Sequence, residues 1–220
     1  MNEMPRSGAA STQIRKTKKS RRAFWLKQLH QWHWISSAVS LIGMLLFTIT
    51  GFTLNHAADI EGAPVVTERT AQLPAELLPL VAADDRPDEK KVLPEPVAQW
   101  LGRELSVPTS GEADWSADEV YLALPRPGGD GWVTIGRESG EVLTEDTNRG
   151  WISYLNDLHK GRNAGTAWKW FIDIFVLAGL IFSGTGLILL QLHAAKRRST
   201  WPLVGVGLVV PVAIAILFIH

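Results

Sequence analysis

The chain has 220 residues, room for one modest soluble domain and a few membrane helices. Its formal net charge is zero and its mean hydropathy only slightly positive, averages that blend long apolar runs with an acidic polar stretch. There is no cysteine, which excludes a disulfide framework, thiolate metal sites and covalent c-type haem attachment.

Residues 1–23 are expected to form a basic, disordered cytoplasmic tail, rich in Ser, Thr, Lys and Arg and without apolar periodicity. Arg15, Lys16, Lys18, Lys19, Arg21 and Arg22 read as a topology signal, and no nucleic acid is expected as a partner. Residues 24–56 hold a cytoplasmic lead-in and the first apolar run, Trp34 to Leu54. About 20 residues rising 1.5 Å each cross the ~30 Å hydrocarbon core. The run is too long for the apolar core of a cleavable signal peptide, and it ends Thr53-Leu54-Asn55-His56, so it reads as an uncleaved anchor.

Residues 57–166 read as one extracytoplasmic domain. Its first part, 57 to about 95, is rich in Pro, Ala, Asp and Glu and is expected as helix and loop, with a short helix opening at Pro94-Glu95-Pro96. From Asp118 the texture becomes strand-like. Val120, Leu122 and Leu124 alternate with Tyr121 and Ala123, followed by strands at Trp132–Ile135 and Val142–Thr144, with turns at Pro127–Gly131 and Arg137–Glu141 between them. This is a small antiparallel meander, too small to be very stable alone, with one face covered by helices or the membrane surface.

Residues 167–193 form the second apolar run, in which Lys169 and Asp173, spaced i and i+4, can pair near the interface. Residues 194–200 are a short basic cytoplasmic loop, and residues 201–220 a third run, with Pro202 in its first turn and Pro211 expected to kink it. Most of the ten tryptophans stand at run ends, where amphipathic rings favour the interface. The fold class is therefore membrane α-helical, with three transmembrane helices and a small α+β extracytoplasmic domain inserted between helices 1 and 2.

Basic residues set the orientation. Eight Lys/Arg precede the first run, and Lys196, Arg197 and Arg198 fill the short loop, whereas the segment from Ala57 to Ala167 holds twenty Asp/Glu against ten Lys/Arg. By the positive-inside rule the N-terminus and the short loop are cytoplasmic, and the long segment and the C-terminus lie outside.

The histidines are the candidate chemistry. His30 and His33 precede the first run and His193 ends the second, all on the inner side; His56 and His159 are on the outer side. Two bis-histidine b-type haems need two axial imidazoles each, from facing helices at one depth. His56 with His159, and His193 with His30 or His33, meet that need. His33 and His56 are 23 residues apart, about 35 Å of straight helix, so the ligands are expected in bent or looped termini. Interfacial rings with no ligand, and His220 as an incidental terminal residue, are the plainer alternative. Gly43, Gly51, Gly179, Ser183, Gly184 and Gly186 allow close approach of helices or of a porphyrin. Metalloprotease, serine-hydrolase and phosphate-loop motifs are missing.

Particular residues carry a family resemblance. They are Leu29-His30-Gln31-Trp32, Thr50-Gly51, Asp157-Leu158-His159-Lys160-Gly161, Asp173, Thr185-Gly186, the basic stop at Lys196-Arg197-Arg198, and the strand–turn–strand stretch ending Glu138-Ser139-Gly140-Glu141-Val142. Over residues 24 to 200 the chain resembles the PepSY-associated transmembrane proteins, in particular their short PepSY-TM-like group. The resemblance implies a PepSY-like outer domain. It also implies haem b between the helices and electron transfer in ferric-siderophore uptake, as assigned to larger relatives. His30 carries over as an inner-face histidine and His159 as an outer-face one. The larger relatives imply a bacterial cytoplasmic (inner) membrane setting and a ferric-siderophore acceptor. The short length of this chain implies a homodimer or another membrane subunit to complete a haem site. PepSY domains elsewhere are linked with inhibition of peptidases, so a non-enzymatic module binding an outer partner stays open beside the redox reading.

Overall fold

The computed structural model describes residues 7–60, 62–82 and 89–219, with the backbone alone for 7–18. The chain divides into two compact units, Met1–Leu45 with Asp173–His220, and Leu46–Ile172.

Three helices are long and apolar enough to cross a membrane: Lys19–Asn55, Gly165–Lys196 and Thr200–Phe218. The first lies within α1 (Ser7–Asn55), which is already helical from Ser7. The basic segment expected to be disordered is therefore helical from residue 7 onward; Lys, Arg and Gln are good helix formers, and no proline interrupts them. The second lies in α4 (Gly165–His193) and its short 3₁₀ extension Ala194–Lys196, and the third is α5 (Thr200–Phe218), which continues through Pro211. Their large apolar side chains, such as Trp34, Ile42, Leu180 and Leu208, are mostly exposed, as lipid-facing surfaces would be.

A polar and small-residue seam runs along α1 at spacings of three and four: His33, Ser36, Ser40, Gly43, Phe47, Thr50. Ser36 and Ser40 are buried and donate back to the carbonyls of Trp32 and Ser36, each at 2.7 Å. At Gly43 an added Cβ would stand 2.6 Å from the ring of Phe175 on α4. Gly43→Ala is therefore expected to lower the thermal stability of the helical unit in detergent, by about 1–3 kcal/mol for an overpacked contact. Unchanged helical melting by circular dichroism would contradict this.

The second unit is built on six antiparallel strands in the order β1-β6-β5-β4-β3-β2. These are β1 (Val65–Gln72), β2 (Glu89–Val92), β3 (Glu112–Trp115), β4 (Glu119–Ala123), β5 (Gly129–Gly136) and β6 (Glu141–Asn148). The meander expected from Asp118 onward corresponds to β4, β5 and β6. The region expected as helix and loop instead supplies β1 and β2, the two edges. β1 is rich in Val and Thr, which favour strands, but it is exposed on both faces and so carries no apolar alternation. The register pairs Val65 with Asn148, bringing the start of β1 beside the end of β6.

One face forms the core. Val120 and Leu122 of β4, Val133 and Ile135 of β5 and Val142 of β6 are buried at period two. They pack with Val97 and Leu101 of α2 (Glu95–Glu104), a helix that follows Pro94 and has Pro96 in its first turn. Arg137, expected in a turn, is 4% exposed. It donates to the carbonyls of Val81, Ala82 and Ser116, and its guanidinium lies 5.6 Å from the Trp115 ring centroid.

Candidate functional site

His159 does not run directly into the second apolar stretch. It stands on a separate helix, α3 (Gly150–Lys160). That helix stops because Gly161 takes φ +66, the left-handed region that glycine occupies without strain. Arg162 N–H then bonds the Asp157 carbonyl at 2.9 Å and Gly161 N–H the Leu158 carbonyl at 3.1 Å, a Schellman ending. Trp168, at the start of α4, donates its indole N–H to the Leu158 carbonyl at 2.8 Å.

Within the second unit, His159 meets the end of α1. Its Nδ1 is 2.7 Å from Thr50 Oγ1. The hydroxyl's one hydrogen is already given back along the helix, to the Leu46 carbonyl at 2.9 Å. With its hydrogen so placed, the oxygen can accept from Nδ1, the pairing that an Nδ1–H imidazole makes. Phe47 lies against the ring, centroids 4.8 Å apart. Gly51 leaves room for it, since a Cβ there would sit 3.4 Å from His159 Cε1.

Within the first unit the same arrangement occurs with α1 supplying the histidine and α4 the threonine. His33 of α1 places Nδ1 2.9 Å from Thr185 Oγ1 of α4, and Thr185 donates back to the Ile181 carbonyl at 2.6 Å. Phe182 stacks on the imidazole at 4.8 Å, and an added Cβ on Gly186 would lie 3.5 Å from His33 Cε1. Each histidine thus fits a Phe-x-x-Thr-Gly turn, Phe47 to Gly51 or Phe182 to Gly186. The Thr-Gly pairs signal close approach in the sequence. The hydrogen-bonding role of Thr50 and Thr185, and the ring contacts of Phe47 and Phe182, were legible only as this repeated spacing.

His30, His56 and His193 each hold Nδ1 near their own helical carbonyl four residues back, at 2.8 Å to Leu26, 3.0 Å to Phe52 and 2.8 Å to Leu189. A carbonyl only accepts, so each of these contacts is a hydrogen bond in the Nδ1–H tautomer. In that tautomer all five candidate histidines present a lone pair on Nε2. A backbone or hydroxyl acceptor on the far nitrogen is what orients metal-ligating histidines.

His33 and His193 line one cleft of about 840 Å³, together with Phe182, Gly186, Lys196 and Arg197. Small-molecule and cofactor sites run from about 300 to 1,000 Å³. His30 does not line this cleft, and His56 shares no described hydrogen bond with His159. Among the described residues no three or more His, Cys, Asp or Glu come together as a metal cluster. A haem iron asks for only two protein ligands, and this cleft brings two imidazoles together with apolar side chains and two cations.

Residues 24–220 match the family model described as Putative PepSY_TM-like. No curated protein and no solved structure matches the chain significantly.

Proposed function

The chain belongs to the Putative PepSY_TM-like family, and on that premise we propose that it is a haem-b-binding protein of the bacterial inner membrane that passes electrons outward to a ferric-siderophore acceptor. The observation that carries this reading is the repeated site: an imidazole fixed by a threonine, backed by phenylalanine, and presenting Nε2. In the helical unit His33 and His193 would be the axial ligands, and Lys196 and Arg197 would pair with the haem carboxylates. His159 would serve the outer site, with His56 as the other outer histidine and His30 outside the cleft. A haem held there would supply one-electron chemistry; the chain's own part is to orient the imidazoles and to exclude water with apolar helix faces. The basic residues before the first span and after the second support an inward N-terminus and an outward sheet.

The test is a reduced-minus-oxidised visible spectrum of the full chain, purified from cells well supplied with haem. Bis-histidine b-type haem gives a sharp reduced α-band. A colourless preparation would sink the redox reading. It would favour the second reading, a membrane-anchored module that binds an outer partner. That reading has its own support in β1, an edge strand with Val65 and Val66 exposed and one side open to a further strand.

A further inference from the structure

We propose that Asp157 is a positioning residue for His159, the link through which the β-sheet fixes where that imidazole stands. Neighbouring side chains at the end of α3 reach separate partners. Asn156, buried, accepts from the Thr53 hydroxyl of α1 at 2.9 Å. His159 Nδ1 lies 2.7 Å from Thr50 Oγ1 of the same helix. Asp157, 7% exposed, turns instead to the sheet, and its Oδ2 accepts from the Gly128 backbone N–H at 2.8 Å.

Gly128 belongs to the turn between β4 and β5, and the turn touches α3 directly. It takes φ +71, and an added Cβ would lie 2.8 Å from Tyr154 Cα. Its carbonyl accepts from the N–H of Arg149, the residue just before α3, at 2.9 Å. The helix is therefore held by the sheet on one side and by α1 on the other, and His159, two residues beyond Asp157, stands on the stretch that both hold.

No cation pairs with Asp157 among the described residues, so its role is that of a buried hydrogen-bond acceptor rather than of a charge. That distinction gives the test its sharpness. Asparagine keeps a carbonyl oxygen that can accept from Gly128; alanine does not.

The proposal concerns the ring and not its ligand, so it is testable without haem. The full chain, haem-free and labelled with ¹⁵N-histidine, is placed in lipid nanodiscs, and ¹H–¹⁵N spectra report which ring nitrogen of each histidine is protonated. His159→Gln assigns the His159 resonances. The expected result is an Nδ1–H form for His159 in the parent chain and its loss to a tautomer mixture in Asp157→Ala. Asp157→Asn should retain it. Gly128→Ala, which leaves Asp157 intact but drives the turn into Tyr154, should lose it as well, with the His33 resonances unchanged in every variant. If His159 keeps its Nδ1–H form in Asp157→Ala and Gly128→Ala, or if asparagine loses it as alanine does, the proposal is overturned. If Asp157→Ala disturbs all the histidines together, Gly128→Ala decides: a change confined to His159 supports the link, and none refutes it.

Discussion

On the proposed function, His33→Ala and His159→Ala should each remove on the order of half of the reduced haem α-band, and the double variant nearly all of it, because each ring would be an axial ligand of a separate haem. The expectation follows from their settings. Each Nε2 is left free while Nδ1 is tied to a threonine, and each ring is backed by a phenylalanine. Alanine removes the ligand and opens the space the ring filled. Thr50→Val and Thr185→Val are the informative companions, since they keep the imidazole and remove only its acceptor. Loss of such an outer partner typically weakens a metal site by about 10–100-fold, so these variants should retain colour at high haem and lose it on dilution. An undiminished band in the double variant would refute the assignment of both rings.

The second large effect is expected far from the histidines. Arg137→Ala should destabilise the sheet domain by about 1–3 kcal/mol for each buried carbonyl left without its donor. Arginine's planar fork suits it to reach three carbonyls at once, those of Val81, Ala82 and Ser116. Alanine leaves these acceptors without their donor and uncovers the ring of Trp115. Small domains have only about 5–15 kcal/mol to lose, so the variant should be cleaved within the sheet by protease under conditions that spare the parent. Equal resistance would show that the carbonyls find water instead. Arg137→Lys should recover only part of the loss, because a point charge cannot hold the same fork.

The three apolar helices were legible from length and hydropathy alone, since a membrane span is a long, uniform signal. So were β4, β5 and β6, because Val120, Leu122, Val133, Ile135 and Val142 alternate over one buried face. β1 and β2 were not. Both are edges, exposed on both faces, and a strand that buries nothing shows no period. α3 was hidden for another reason. Its capping signal, Gly161, comes only a few residues before the next helix begins, so two elements read as one approach to a span. Arg137 looked like a turn residue because its function depends on carbonyls more than fifty residues earlier in the chain. The histidines were found by counting positions along the chain. Their threonine and phenylalanine partners come from other helices, and only the fold joins them.

The register of β1 against β6 has a consequence for how such a chain can change. Val65 faces Asn148, so the first and last strands of the sheet begin and end as neighbours, only about 4.8 Å apart. The chain therefore enters and leaves the sheet at one place. A sheet whose ends adjoin in this way tolerates insertion or exchange better than one whose ends lie apart, as domains with neighbouring termini generally do. The sheet is thus free to diverge in what it contacts, provided the turn at Gly128 still agrees with the helix that carries His159.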